Sequence, residues 1–286
     1  MMEVSFWKMH GLGNDYVVID NTDGRMNGWN LREIARKICR RRFSVGADGL
    51  ILVCKSSIAD VKMRIFNADG SEAEMCGNGI RCVAKYVHDH GISSNNPLRI
   101  ETSAGIKTIS LTLNEQNKVI SATVDMGEPI LEPSEIPVKI AQERAVDIPI
   151  ETPKGIFKMT CVSMGNPHAI IFVNNVDKVP LHEIGPMIEN HPLFPSRVNV
   201  HFVKVLSRKE VIMRTWERGS GETLACGTGA SAVCVAGILN DLTEREILAH
   251  LPGGDLKLYC SADNNHVYMT GPAEEVFTGD WPEKNT

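Results

Sequence analysis

A chain of 286 residues with a formal net charge of −5, 43% apolar and 23% charged residues has the make-up of an ordinary globular protein of one large or two medium domains. Basic residues are not massed or interleaved with aromatic ones, which argues against a nucleic-acid surface, and no apolar run approaches a membrane span; a small polar molecule is the expected partner. Met1-Met2-Glu3-Val4-Ser5-Phe6-Trp7-Lys8 lacks a charged leader with an apolar core, and eight cysteines without dense pairing patterns read as free thiols, so a cytoplasmic setting is expected.

Residues 3–10 and Tyr16 to Asp20 read as strands around the turn Gly11-Leu12-Gly13-Asn14. Asn30 with Glu33 forms a capping-box pattern, and Leu31, Ile34, Ala35, Ile38 and Cys39 share one face of the helix that follows. Strands are expected over Leu50 to Cys54 and Val61 to Phe66, then a helix in which Ile80, Val83, Ala84 and Val87 recur and Gly91 supplies the stop. Residues 98–125 read as consecutive strands, with Asn114-Glu115-Gln116-Asn117 as a hairpin turn. The proline-bearing segment Gly127 to Pro153 reads as irregular, and the expected division is an N-terminal lobe of residues 1–125 and a C-terminal lobe of 126–271. In the second lobe the expected elements are a strand from Phe157, the loop Ser163-Met164-Gly165-Asn166-Pro167-His168, a strand over Ala169 to Val173 and a helix over Leu181 to Glu189. Strands near Val200 to Val205 and Glu210 to Trp216 then precede a small-residue helix after Cys226, and strands near Leu256 to Cys260, His266 to Met269 and Val276 to Thr278 close the chain.

The order of elements repeats because the sequence does. Glu72-Ala73-Glu74-Met75-Cys76-Gly77-Asn78-Gly79 answers Glu222-Thr223-Leu224-Ala225-Cys226-Gly227-Thr228-Gly229 at an offset of 150 residues, and Met63-Arg64 answers Met213-Arg214 at the same offset. Gly13-Asn14 answers Gly165-Asn166 at 152. Such a period is too long for a solenoid and indicates one unit used twice, with function expected where the two copies face each other.

A cysteine works as its thiolate, and its free pKa of about 8.5 leaves little of that form at neutral pH. At the first turn of a helix the unpaired N–H groups and a dipole equivalent to roughly half a positive charge favour an anion, and flanking glycines let a ligand carboxylate approach the same groups. Two such ends offer a base and an acid to opposite faces of one carbon, which is what inversion of a stereocentre requires. Cys76 and Cys226 are therefore the catalytic candidates.

Other readings are weaker. Gly227-Thr228-Gly229-Ala230-Ser231-Ala232 fits G-x-G-x-x-A, but Asn240-Asp241-Leu242-Thr243 reads as a helix end where a dinucleotide fold needs a strand closing on an acidic residue. No Cys-x-x-Cys or His-Glu-x-x-His is present and the nine histidines are scattered, so no metal is expected. Cys54, Cys82, Cys161, Cys234 and Cys260 lie on apolar faces and read as core. A redox-sensing binding protein would use the same thiols without turnover.

Lys8-Met9-His10-Gly11-Leu12-Gly13-Asn14-Asp15, Phe66-Asn67-Ala68-Asp69-Gly70-Ser71, Met75-Cys76-Gly77-Asn78-Gly79-Ile80-Arg81-Cys82, Gly165-Asn166-Pro167-His168, Glu217-Arg218-Gly219 and Ala225-Cys226-Gly227-Thr228-Gly229 together resemble the diaminopimelate epimerases. Proline racemases share the fold and cysteine pair but typically carry His where this chain has Asn78. The resemblance implies an α/β fold of two pseudo-symmetric lobes, each a curled sheet around a central helix, with the active site in the cleft between them. It also implies no cofactor, commonly a homodimer, and a C-terminal segment, 272–286, that returns to the first lobe. By the same resemblance Cys76 and Cys226 are catalytic, His168 and Glu217 assist, and Asn14, Asn67, Gly77, Asn78, Asn166, Asn199, Glu217, Arg218, Gly227 and Thr228 contact the substrate. One departure stands out: some members carry a substrate-side Gln where Gly46-Ala47-Asp48-Gly49 has Gly49, so any contact there is through backbone.

Overall fold

In a computed structural model, residues 2–283 are described. Within them the chain up to Val124 and from Gly271 onward forms one compact unit, and Asp125–Thr270 forms a second. Among the described residues no helix is long and apolar enough to cross a membrane.

The first unit opens with β1 (Met2–Gly11) and β2 (Asn14–Asn21), an antiparallel hairpin whose turn residues Leu12 and Gly13 both have positive φ, 58° and 83°. Two left-handed residues reverse the chain with the twist that flanking strands need. Helix α1 (Leu31–Ile38), capped by Asn30 Oδ1 accepting from the Glu33 N–H at 3.3 Å, leads to β3 (Gly49–Cys54), which runs parallel to β2. Strands β4 (Val61–Asn67) and β5 (Glu72–Ala73) form a short hairpin, and α2 (Gly77–Asp89) then crosses to β6 (Leu98–Thr102), parallel to β4. Strands β7 (Gly105–Leu113) and β8 (Val119–Asp125) follow as antiparallel neighbours.

The second unit runs β9 (Ile148–Thr152), β10 (Gly155–Ser163), β11 (Pro167–Phe172), α3 (Leu181–Glu189), β12 (Asn199–Ser207), β13 (Glu210–Glu217), β14 (Gly221–Thr223) and α4 (Gly227–Leu239), closing with β15 (Glu246–Leu251), β16 (Gly254–Cys260) and β17 (Val267–Gly271). The topology matches the first unit: β11 and β12 are parallel across α3 as β2 and β3 are across α1, and β13 and β15 are parallel across α4 as β4 and β6 are across α2. Three strands here differ from expectation, the short β14 lying in the repeated signature where no strand is read. β9 lies inside the segment read as irregular, where Pro149 is tolerated because it sits near the start of the strand. β15 falls in a stretch given no element. The last strand, β18 (Glu274–Glu283), returns to the first unit and pairs antiparallel with β1 from Met2↔Glu283 to His10↔Glu274, with a bulge at Lys8/Met9. Residues 284–286 of the segment expected to return lie outside the described residues.

Strand parity divides the faces. Val17, Ile19, Leu50, Leu52 and Phe66 pack against the α1 side chains Leu31, Ile34, Ala35 and Ile38, whereas Ile51 and Ile65 point the other way, at Gly79 of α2. In the second unit Ala169, Ile171, Val200 and Phe202 pack on Leu181, Ile184 and Ile188 of α3, and His201 points at Gly229 of α4. Helices α2 and α4 are buried along most of their length, and each contacts five or more strands of its own unit, so each is a core helix with the sheet curled around it. Full burial of each Ile or Leu stabilises by about 1.5–3 kcal/mol, which fixes where the helix starts come to rest.

Candidate active site

Both cysteines sit at matched helix starts. Cys76 is the extended N-cap residue of α2 (φ −143°, ψ 124°) and Cys226 that of α4 (φ −127°, ψ 104°); each helix has 13 residues and neither cap is closed by a side-chain hydrogen bond. The cysteine carbonyls accept the first helical bonds, from Ile80 and Ala230, both at 2.9 Å. The repeated Glu72 and Glu222 are explained by the hairpins that deliver the cysteines: Arg64 binds Glu72 with its Nε at 2.8 Å and Arg214 binds Glu222 with its Nη2 at 2.8 Å. The second glycine of each Cys-Gly-x-Gly faces the sheet, where it was expected only to clear space for a ligand, and at Gly229 the approach is too close for any side chain. A Cβ on Gly229 would lie 2.2 Å from the His201 ring, and one on Gly79 3.0 Å from Ile51 Cδ1.

Around Cys76 the first unit builds a hydrogen-bonded net. Tyr16 Oη lies 2.9 Å from Cys76 Sγ and donates to Asn14 Oδ1 at 2.5 Å; that oxygen also accepts from Asn78 Nδ2 at 3.1 Å. Asn14 Nδ2 donates to Asp48 at 2.7 Å, and Arg41 ties Asp48 and Asp15 together, with Lys8 on Asp15. The fully buried Arg81 donates to Asn78 Oδ1 at 2.9 Å, to the Gly77 carbonyl at 3.2 Å and to the Pro272 carbonyl at 3.1 Å, so it orients Asn78 from beneath. Burial, and next the charge of Cys76, push the Tyr16 phenol well above its usual range, leaving it a donor.

Around Cys226 the net differs. His168 donates from Nε2 to Asn166 Oδ1 at 2.8 Å, its Nδ1 lies 2.8 Å from His201 Nε2, and His201 Nδ1 lies 2.9 Å from Thr215 Oγ1. An amide oxygen can only accept, so the proton positions are fixed in series: Thr215 donates to His201, His201 to His168, and His168 to Asn166. Both rings stay neutral. Burial, followed by His201 and Arg218, holds His168 well below the usual histidine range, and burial brings His201 down to about 3. The ligating atoms of His168, His201 and Cys226 lie within 4.8 Å of one another, a grouping that the scattered sequence positions conceal; the two ring nitrogens that face each other are already joined by a hydrogen bond.

Glu217 Oε2 accepts from the Cys226 thiol at 3.4 Å, and Thr223 donates to Oε1 at 2.6 Å; Thr228 Oγ1 is 3.7 Å from the sulfur. The helix start acts in the expected direction at Cys226, through the Gly229 N–H, but it does not prevail there. Burial first, and then the Glu217 charge, raise the Cys226 thiol well above its usual range, outweighing the Thr228 hydroxyl and the Gly229 N–H that act the other way. Glu217 therefore turns to the thiol while its neighbour Arg218 turns elsewhere, with Nη1 on the Ser196 carbonyl at 2.9 Å and its N–H on Asn199 Oδ1 at 2.9 Å. Asn199 donates in turn to the Pro167 carbonyl at 2.9 Å, and Asn67 donates to Ser71 Oγ at 2.9 Å in an exposed turn. Gly77 and Gly227 are the first residues of α2 and α4. At Gly49 a Cβ would come 2.7 Å from the Phe66 carbonyl and 3.4 Å from the Tyr16 ring, so this chain has no room for a longer side chain there.

Tyr16, Asp48, Arg81, His201 and Thr215 were not singled out from sequence. Tyr16 carried a usable signal, because the offset of 152 that relates Asn14 to Asn166 also relates Tyr16 to His168.

The doubled topology is that of a known structural class. The phenazine biosynthesis protein of the PhzF family from Bacillus anthracis superposes with a TM-score of 0.71 at 17% identity, covering 99% of this chain and 100% of its own. A probable proline racemase from Agrobacterium radiobacter gives 0.71 at 16% identity, covering 98% and 93%. These likenesses establish the fold. The family follows from sequence: the diaminopimelate epimerase model matches residues 6–132 and 160–276, and the diaminopimelate epimerase of Acetivibrio thermocellus is 54% identical over 275 residues, 96% of this chain and 97% of its own. The chain belongs to the diaminopimelate epimerase family and is an isomerase.

Proposed function

We propose that the protein interconverts LL- and meso-2,6-diaminopimelate without a cofactor, one thiolate of the pair Cys76 and Cys226 removing the α-proton while the other thiol delivers one. The observation that carries this reading is a cysteine N-cap at each of two matched helix starts in a chain of this family. The pair shares one proton, so it titrates as a pair. A thiol that donates to Glu217 is a natural acid, and once it has given up its proton the neighbouring carboxylate favours taking one back. First-turn N–H groups of α2 and α4 stabilise charge developing on the α-carboxylate. Asn67, Asn166, Asn199 and Arg218 are assigned to the end of the substrate that does not react, so LL and meso isomers are turned over and DD is not. The reading includes a cytoplasmic homodimer on the route to lysine and cell-wall precursors.

The test uses pure protein and LL-diaminopimelate in deuterated water, with the stereoisomers resolved. Early meso product should carry deuterium at the inverted carbon while recovered LL stays mostly unlabelled. Cys76→Ala and Cys226→Ala should each lower the rate by about 10²- to 10⁴-fold. Early label in both isomers alike, or near-normal turnover by either variant, ends the two-thiol reading.

A further inference from the structure

Proton transfer in both directions makes an unusual demand on the surroundings of Cys76. As a thiol it needs an acceptor; as a thiolate it needs a donor, in a half-buried position where water does not reliably supply one. Carboxylates and carbonyls only accept, and ammonium or amide N–H groups only donate. A hydroxyl does both by turning about one bond.

Among the described residues Tyr16 has the one side-chain hydroxyl within hydrogen-bond reach of Cys76, at 2.9 Å; Asn14 Oδ1, 3.8 Å from the sulfur, can accept from the thiol but cannot donate to the thiolate. Its ring is fixed: the residue is 4% exposed and lies against Gly49, where any side chain would collide. When the sulfur carries its proton, S–H points at Tyr16 Oη and the phenol proton points at Asn14 Oδ1, 2.5 Å away. When the sulfur is charged, the phenol proton turns to it, and Asn14 Oδ1 keeps the bond from Asn78 Nδ2 at 3.1 Å. No heavy atom moves, no polar atom is orphaned, and the phenol keeps its own proton throughout. The second unit retains half of the device, since His168, the counterpart of Tyr16, makes the same bond two residues back, to Asn166 Oδ1. There the sulfur is served by Glu217 and Thr228.

We propose that Tyr16 is the supporting residue of Cys76, its hydroxyl accepting from the thiol and donating to the thiolate in alternate half-reactions. The role in turnover rests on Cys76 acting as proposed above; the hydrogen bond to the thiolate does not. Tyr16→Phe removes one oxygen and leaves the ring. In the absence of substrate, Cys76 of this variant should be alkylated by iodoacetamide at neutral pH about fivefold more slowly than in wild type, because the sulfur loses a charge-assisted hydrogen bond, an effect partly offset by greater nucleophilicity. Peptide mass spectrometry assigns the label, and Cys54, bonded to Asn21, serves as the internal reference and should not change. With LL-diaminopimelate, kcat should fall by a comparable factor and KM stay within about twofold. Wild-type labelling of Cys76 in Tyr16→Phe overturns the proposal, as does slowing shared equally by Cys54. Because labelling needs no turnover, full activity of Cys76→Ala would sink the functional reading and leave the labelling result to decide the hydrogen bond.

Discussion

Beneath the first core helix the sheet offers Ile51 paired with Ile65; beneath the second, at the same register, it offers His201 paired with Thr215. The same offset of 150 relates Ile51 to His201 and Ile65 to Thr215, so one scaffold carries an apolar floor in one copy and a polar floor in the other. The residue above each floor explains the difference. Tyr16 has one polar atom, at its tip, and leaves no buried ring nitrogen for the floor to satisfy. His168 has two ring nitrogens, and once Nε2 is given to Asn166 the buried Nδ1 must be met by something. His201 meets it, and Thr215 completes His201. A histidine in place of a tyrosine at the site thus goes together with two further polar residues under the helix.

Acid should separate the two units most strongly. His168 and His201 are buried and neutral, with folded pKa values depressed below 6.5, so the stability they contribute is present above that value and is lost as pH falls toward about 3. Two protons bound only by the unfolded state lower stability with a limiting slope of about 2.7 kcal/mol per pH unit, or about 3 kcal/mol between pH 6.5 and 5. Urea titrations at stepwise pH, followed by Trp216 fluorescence with the other tryptophans replaced by Phe, read this in the second unit; His201→Gln should halve the slope. An unchanged slope would mean that the polar floor is not what acid attacks.

Adding one methyl tests the floors directly. Gly229→Ala drives a Cβ into the rigid His201 ring and should destabilise by about 3 kcal/mol, lowering Tm by roughly 6–12 °C. Gly79→Ala meets only the flexible end of Ile51, and with the helix propensity gained should change stability by less than about 1 kcal/mol. Equal losses in thermal unfolding would erase the distinction. The smallest effect sharpens the contrast at sulfur. Glu217→Gln removes the charge that opposes the Cys226 thiolate, so iodoacetamide labelling of Cys226 should quicken several-fold, on the order of threefold, with that of Cys76 unaltered.

How much of this is legible in residues alone depends on how local the cause is. Helix α3 is read from Leu181 to Glu189 because its apolar spacing is self-contained, and α2 and α4 are read from Cys-Gly-x-Gly because a repeat marks them. Strand β15 is not. Glu246, Leu248, Ala249 and Leu251 favour helix, and only pairing with β13 and β16 makes them extended, with Ile247, Ala249 and Leu251 turned to the core. The site divides in the same way. Cys76 and Cys226 announce themselves; Arg81 under Asn78 and His201 behind His168 act through partners that no local pattern specifies. A polar residue standing where its copy has a buried isoleucine is the signal that would have pointed to His201.

Strand β18 makes the first unit discontinuous: its sheet is finished by residues that follow the whole of the second unit. On the ribosome, Glu274 emerges 263 residues after Gly11. At roughly 5 to 20 residues per second that interval is about 13 to 50 seconds. Throughout it β1 has β2 on one side and an open row of backbone donors and acceptors on the other, a template for pairing with a neighbouring nascent chain. The second unit, contiguous in sequence, has all its strands in hand before then. Translation order therefore sets the order of completion, and the half of the molecule made first is sealed last.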